Sequence, residues 1–95
     1  MYLEIVTPEA ILFSSEIDSI SVPGVNGEFQ MLNNHAPIVS ILKKGTVQIH
    51  TQEHLELNEL SDKLVPHADD DKVLTLVINS GTIEMKDNKV ILLAD

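Results

Sequence analysis

Short apolar runs separated by turn residues constrain this chain more than any other sequence feature. The segment from Asp18 to Val22 alternates polar and apolar residues, which is the pattern of a half-buried strand. Asn26-Gly27 and Asp87-Asn88 predict hairpin turns, and Asn-Gly in particular supplies the positive φ angles of a tight hairpin. The predicted strands are Tyr2 to Thr7, Ile11 to Glu16, Asp18 to Val22, Glu28 to Leu32, Ile38 to Leu42, Thr46 to Thr51, Val73 to Ile78, Thr82 to Met85 and Lys89 to Leu93.

The number and spacing of these runs predict the fold class. Many short strands with regular turns predict an all-β fold, an antiparallel β-sandwich or flattened barrel of about eight to ten strands. The chain has 95 residues and 3% aromatic residues, so we expect an aliphatic core. We expect one β-sandwich domain over residues 1–95, with an acidic insertion at 52–72 inside it.

Negative charge is concentrated in one segment. The chain has 6 basic residues, all lysine, and 15 acidic residues, which gives a net charge of −9. Seven acids and one base lie between Glu53 and Asp71, so this segment carries −6 and the rest carries −3. Nucleic acids and anionic lipids bind positively charged surfaces, which a chain this acidic lacks. No apolar run approaches the roughly 18 residues that a membrane-spanning helix needs. We therefore expect no nucleic-acid partner and no direct membrane insertion.

The acidic segment allows two interpretations of its local structure. Leu57, Leu60 and Leu64 are spaced like one face of a helix. Leu55 and Leu57 instead suit a continuing strand, and Pro66 would end either element. The pattern favours a strand extension followed by a loose loop.

Candidate catalytic and metal-binding residues are few. His50 and His54 would share a face of a helix, but on a strand they would lie about 13 Å apart, too far to hold one metal ion. The run Asp69–Asp71 lacks the spacing of a calcium loop. His35 could act as a base, but none of the serines lies in a Gly-x-Ser-x-Gly elbow. A paired-carboxylate site stays open, and overall we expect no catalytic residue, cofactor or metal.

A more specific signal lies between Val22 and Gly45. The turns of this segment are expected to be rigid and to display a few polar groups, and rigid turns of this kind commonly bind partners. Its turn residues are Pro23-Gly24, Asn26-Gly27, Asn33-Asn34 and Ala36-Pro37, with Glu28 and His35 on or near them.

These residues resemble the epsilon subunit of the rotary proton-translocating ATP synthase. The matching motifs are Gly27-Glu28-Phe29, Asn34-His35-Ala36-Pro37 and Leu42-Lys43 followed by Gly45. The opening Leu3 to Glu9 resembles the first strand of that family, and Gly81 to Met85 and Asn88 to Asp95 resemble its closing strands. The resemblance covers about three quarters of the sequence.

The sequence also departs from the family pattern. Gln30 stands where the family usually has glycine, and Asn33 and Lys44 stand where it usually has proline. The segment 52–72 is longer than the family's connection at that place. Most members continue beyond the position of Asp95 into a two-helix hairpin that restrains ATP hydrolysis, and that role is not carried over to this chain.

The resemblance implies a non-catalytic central-stalk subunit that couples rotation of the membrane c-ring to the gamma subunit and the catalytic head. It implies these two partners, no cofactor, and a peripheral position on the cytoplasmic face of the cell inner membrane. The residues expected to face the c-ring are Gly27, Glu28, Phe29, Asn34, His35, Ala36 and Pro37. The alternatives are a free-standing β-sandwich adaptor or binding module and a small metal-dependent hydrolase.

Overall fold

The structure is a computed structural model that describes residues 1–51, 63–67 and 72–95. Over these ranges the protein forms ten strands and no helix, so the described part contains no helix that could cross a membrane. The strands are β1 (Tyr2–Val6), β2 (Ile11–Glu16), β3 (Ser19–Gly24), β4 (Gly27–Leu32), β5 (Ile38–Leu42), β6 (Gly45–His50), β7 (Val65–Pro66), β8 (Val73–Ile78), β9 (Gly81–Lys86) and β10 (Lys89–Ala94). The predicted all-β fold is confirmed.

The strands form one curled sheet with two halves. Its order is β2-β1-β10-β9-β5-β3-β6-β8-β7, with β4 on the other edge of β3. The sheet turns its corner on β3, because Ser19 to Ser21 pair with β6 whereas Gly24 pairs with Leu42 of β5. We call β2, β1, β10, β9 and β5 the first layer, and β4, β3, β6, β8 and β7 the second layer.

One strand pair departs from the predicted antiparallel arrangement. β1 and β10 run parallel, with Leu3 beside Val90 and Ile5 beside Leu92. The other pairings within the described ranges are antiparallel. No turn joins β1 to β10, so hairpin geometry does not set their relative direction.

The core is built from alternate residues of these strands. On β10, Val90 and Leu92 are buried while Leu93 is half exposed, as the alternation of side chains along a strand requires. The core is aliphatic as predicted, with Phe13 as the buried aromatic side chain in the described part. The largest side chains that are fully buried are Leu3, Ile5, Ile20, Met31, Leu42, Ile49, Leu74, Ile83, Met85 and Leu92.

β3 is more buried than its alternating pattern predicted. Ser19 and Ser21 are on the outer face of the second layer, yet they are only 6% and 9% exposed to solvent. Ser21 lies between Gln30 on β4 and Gln48 on β6, and the Gln30 Nε2 donates a hydrogen bond to the Ser19 Oγ at 3.2 Å. The small serines are therefore covered by longer side chains of the neighbouring strands, which the alternation of β3 alone does not reveal.

The prediction for the first hairpin turn was wrong in its details. Gly24 pairs with Gly27, so Val25 and Asn26 form the turn, and only Gly27 has a positive φ, 125°. Glycine tolerates this angle because it has no Cβ. The prediction for the second turn is confirmed.

Asp87 and Asn88 form that second turn, with φ angles of 53° and 62°. Positive φ at both central residues is the geometry that a two-residue hairpin favours.

One strand was not predicted from the sequence. Val65 and Pro66 form β7, which pairs with β8 at the edge of the second layer. The Thr75 Oγ1 also donates a hydrogen bond to the Val65 carbonyl at 2.8 Å. Proline is tolerated in an edge strand because its missing N–H faces away from the ladder. The two interpretations of Leu55, Leu57 and Leu60 concern residues outside the described ranges.

Candidate functional site

The turn between β3 and β4 forms an exposed end of the molecule. Val25 and Asn26 occupy the turn, and both side chains are exposed. Gly27 follows, and nothing lies within 4 Å of the place where its Cβ would be. Glu28 is also exposed. We call residues 25–28 the hairpin tip.

Glu28 and Phe29 have different surroundings at the base of the hairpin tip. The Glu28 carboxylate makes no hydrogen bond or ion pair with any described residue. Phe29 is half-buried and packs against the core. A Cβ at Gly24 would lie 2.8 Å from the Phe29 ring, so glycine is required there. The hairpin tip therefore displays a free carboxylate on a packed base.

The turn between β5 and β6 braces the hairpin tip. The Lys43 N–H donates a hydrogen bond to the Pro23 carbonyl at 2.9 Å, and the Val25 N–H donates to the Ile41 carbonyl at 3.2 Å. A Cβ at Gly45 would lie 2.7 Å from the Pro23 Cβ, which shows how closely the two turns pack. Because backbone hydrogen bonds join the turns, the tip is held in a defined shape.

The second group of predicted site residues lies in the loop between β4 and β5. Asn34 has a φ of 62°, and the His35 N–H closes the turn by donating to the Leu32 carbonyl at 3.1 Å. The His35 Nδ1 lies 2.7 Å from the Ala36 carbonyl and donates to it. His35 is half-buried, whereas Ala36 and Pro37 are exposed. This loop thus presents one imidazole and a small apolar surface.

The structure does not bring the two groups of site residues together. The residues Gly27–Phe29 begin β4, and Asn34–Pro37 follow its end. Five residue steps separate Gly27 from Leu32, which corresponds to roughly 17 Å along a strand. The predicted site is therefore two surfaces at opposite ends of one edge strand.

A clamp on the Asn34–Pro37 loop was missed from the sequence. Asn88, in the β9–β10 turn, accepts a hydrogen bond from the Asn34 N–H at 2.8 Å through Oδ1 and donates through Nδ2 to the Asn33 Oδ1 at 2.9 Å. The α-amino group of Met1 also donates to the Asn33 Oδ1 at 2.9 Å and forms an ion pair with Glu16 at 3.2 Å. These partners are distant in the sequence, and no local motif marks their contact.

A row of mainly apolar side chains crosses the outer face of the first layer. Strand register aligns Ile11, Val6, Leu93, Thr82 and Ile41 on five adjacent strands. Ile11 and Ile41 are each 63% exposed and Leu93 is 49% exposed. We call these five residues the apolar row. The sequence did not reveal it because its members become neighbours only through pairing.

The histidine and aspartate candidates for metal binding do not form a site in the described ranges. No three His, Cys, Asp or Glu residues that the structure describes are close enough to hold a metal ion. His50 lies on β6 between Ser19 and Val73 of the flanking strands. His54 and the run Asp69–Asp71 lie outside the described residues.

A shallow cleft lies at the end of the sandwich where β8 and β10 stop. Its volume is about 180 Å³, less than the roughly 300–1,000 Å³ of pockets that hold drug-sized ligands. Lys63 and Asp95 are among its lining residues. Hydrogen bonds from the Ser80 N–H and the Asn79 N–H hold the pKa of the Asp95 carboxyl below its usual value of 3.8. The cleft thus offers a carboxylate that is already satisfied by backbone donors.

Comparison with known proteins identifies the family. The model of the β-sandwich domain of ATP synthase delta and epsilon chains matches residues 1–95. The ATP synthase epsilon chain of Chlorobaculum tepidum is 40% identical over 93 residues, which cover 98% of this chain and 86% of that protein. The epsilon chain of Campylobacter curvus is 36% identical over all 95 residues but 60% of its own length, and that of Desulforamulus reducens is 33% identical over 57% of its length.

Solved structures share the fold. A chain in the central stalk and c-ring structure of the Tetrahymena thermophila mitochondrial ATP synthase matches 98% of this chain and 61% of its own length, with a TM-score of 0.71 and 12% identity. A chain of the Euglena gracilis mitochondrial ATP synthase matches 97% of this chain and 48% of its own length, with a TM-score of 0.74 and 17% identity. With a family model that matches from end to end, the chain belongs to the family of ATP synthase delta and epsilon chains, through their β-sandwich domain.

Proposed function

We propose that this protein is a non-catalytic rotor subunit in the central stalk of ATP synthase. It would pass the rotation of the membrane c-ring to the gamma subunit and the catalytic head, as a peripheral part of the complex on the cytoplasmic face of the inner membrane. Residues 1–95 would act as one domain, with 52–72 as an acidic insertion. The observation that carries this proposal is the match of the family model to all 95 residues.

The packing of the described residues suits a part that transmits torque. Nine of the ten described strands contribute side chains to one aliphatic core, and close-packed interiors have low compressibility. Backbone hydrogen bonds from Val25 and Lys43 brace the hairpin tip, and Asn88 clamps the loop at the other end of β4. Both exposed ends of β4 are therefore stiff, so a force applied to either end reaches the core with little deformation.

We assign the contact with the c-ring to the two ends of β4. Glu28 offers an unpaired carboxylate at one end, and His35 offers an imidazole in the loop at the other. Because these groups are separated by the length of the strand, one partner reaches both only if β4 lies along its surface. The polar side chains fit the polar loops that the family resemblance implies for the ring.

We assign the contact with gamma to the apolar row. The centre of a protein interface is depleted of charged residues, and the row has none over its five strands. Ile41 belongs to this row and also accepts the hydrogen bond from Val25. The two proposed contacts therefore meet at the hairpin tip, on adjacent surfaces.

The gamma contact is tested by size exclusion of the purified protein mixed with gamma from the same source. The original protein is expected to co-elute with gamma at micromolar concentration. Ile41→Ser and Leu93→Ser should weaken this association without unfolding the protein, because both side chains are largely exposed. Val77→Ser is the matched control, since Val77 is 71% exposed on the second layer. Absence of co-elution of the original protein favours a free-standing adaptor instead.

The ring contact is tested by charge reversal at the hairpin tip. Glu28→Lys is expected to reduce ATP-driven proton pumping in reconstituted complexes while the protein keeps its fold. Glu9→Lys makes the same change of charge in the turn between β1 and β2, away from both ends of β4, where the side chain is also exposed. Equal pumping by the two variants and the original protein would remove Glu28 from the interface.

A further inference from the structure

The hairpin tip contains an Asn-Gly step whose chemistry is independent of the proposed function. Asn26 is followed by Gly27, and both are exposed. We propose that Asn26 is a site of spontaneous deamidation, which replaces the side-chain amide of Asn26 with a carboxylate as the protein ages. Asparagine is among the thermolabile residues of proteins, and its reactivity depends strongly on the residue that follows it.

The reaction is a cyclisation followed by hydrolysis. The backbone nitrogen of Gly27 loses its proton to solvent and bonds to the Cγ of Asn26, and the bond between Cγ and the amide Nδ2 breaks to release ammonia. Water then opens the resulting succinimide at either carbonyl. One product is aspartate, and the other is isoaspartate, in which the backbone runs through the former side chain. Water is the only co-reactant.

The surroundings of Asn26 favour this cyclisation. Gly27 has no side chain to obstruct the attack, and nothing lies within 4 Å of its Cβ position. The Asn26 amide has no hydrogen-bond partner among the described residues, so nothing there fixes its rotamer. The turn is exposed, and water reaches both the amide and the ring that forms.

Other asparagines of the same protein provide an internal contrast. Asn33 and Asn88 hold each other through the bond between Nδ2 and Oδ1 at 2.9 Å, and the Asn88 Oδ1 also accepts from the Asn34 N–H. The residues that follow Asn33, Asn34 and Asn88 all carry side chains. Steric hindrance therefore slows the reaction at all three residues, and hydrogen bonding also restrains the amides of Asn33 and Asn88. Asn26 has neither protection.

Deamidation would change the surface that we propose for the c-ring. It adds a carboxylate two positions before Glu28, and the isoaspartate product lengthens the backbone in a turn where Gly24 must pair with Gly27. This consequence rests on the proposed function, but the chemistry does not. Failure of the chemical test would leave the assignment of the protein to the rotor untouched.

The test is incubation of the purified folded protein at neutral and mildly alkaline pH, with tandem mass spectrometry of its peptides over time. Aspartate and isoaspartate are expected to accumulate at position 26 while Asn33, Asn34 and Asn88 keep their amides. Asn26→Gln should abolish the mass gain, because glutamine cyclises far more slowly. A parallel sample unfolded in urea measures the reactivity of the sequence alone.

Two results would overturn the proposal. If Asn26 keeps its amide in the folded protein but loses it in urea, the hairpin protects the site. If Asn26 reacts no faster than Asn33 in the folded protein, its exposure and its glycine neighbour confer no special reactivity.

Discussion

Asn88 and Asn34 are 54 positions apart in the sequence, yet the Asn88 Oδ1 accepts a hydrogen bond from the Asn34 N–H at 2.8 Å. Asn88 lies in the β9–β10 turn, and Asn34 lies in the loop between β4 and β5, directly before His35. The contact joins a turn of the first layer to the end of β4, which belongs to the second layer. The position of the His35 loop therefore depends on a hairpin that is distant from it in the sequence.

We expect Asn88→Gly to loosen this loop. Glycine keeps the positive φ of the turn, so the variant removes the clamp and leaves the turn geometry intact. The loss should be about 1–3 kcal/mol in the free energy of unfolding, measured by urea denaturation, because the variant removes both hydrogen bonds of the Asn88 side chain. Hydrogen exchange at the Asn34 amide should also become faster.

Asp87→Gly is the control for this clamp variant. Asp87 also has a positive φ, and its replacement leaves the Asn88 side chain in place. It should retain slow exchange at Asn34. Equal exchange rates at Asn34 in both variants would contradict the clamp.

Leu92 and Leu93 test the assignment of faces on β10. Leu92 is fully buried and Leu93 is 49% exposed, although they are adjacent and chemically identical. Leu92→Ala should lower the free energy of unfolding by about 2–5 kcal/mol, because it leaves a cavity. Leu93→Ala should cost less than about 1 kcal/mol. Similar urea midpoints for the two variants would show that the faces are assigned wrongly.

Gly81 tests the close approach of β9 to β10. A Cβ at Gly81 would lie 2.6 Å from the Leu93 carbonyl oxygen, which is backbone and moves only with its strand. Gly81→Ala should therefore reduce stability by about 1–3 kcal/mol, as overpacking does. Ser80→Ala is the control, since Ser80 is exposed and its backbone bonds are retained. If the Gly81→Ala variant is as stable as the control, β9 and β10 move apart to admit the methyl group without a loss of stability.

The Asp95 carboxyl makes the stability depend on pH in the acidic range. The Ser80 N–H, followed by the Asn79 N–H, lowers the pKa of Asp95 in the folded state below 3.8. A group with a lowered folded pKa stabilises the fold above its unfolded pKa, and this stabilisation is lost as the pH falls through the folded pKa. The NMR chemical shift of the Asp95 side-chain carboxyl carbon, followed as a function of pH, should report a pKa below 3.8.

Asp95→Asn provides the matched variant for this titration. It removes the titrating group, so its stability should change less between neutral and acidic pH than that of the original protein. An Asp95 pKa at or above 3.8 would show that the N–H groups of Ser80 and Asn79 do not stabilise the Asp95 carboxylate when the protein is in solution.

Most strands could be predicted from the sequence because their signals are local. The run from Val73 to Ile78 and the turn at Asp87 and Asn88 are confirmed, since β-branched residues and turn residues act through their own backbone preferences. β7 was missed because its pairing with β8, rather than the composition of Val65 and Pro66, makes it a strand. The turn at Asn26 was misassigned by one position, because the pairing of Gly24 with Gly27 selects which residues form it.

By itself the sequence determined the all-β class, the aliphatic core and, through its motifs, the family. Only the tertiary structure decided that β1 and β10 run parallel, that Asn88 holds Asn34, and that Ile11 and Ile41 belong to one apolar row. The physical reason is the range of the interactions. Backbone preferences and alternation act over a few residues, whereas strand register and contacts between turns exist only after distant segments have paired.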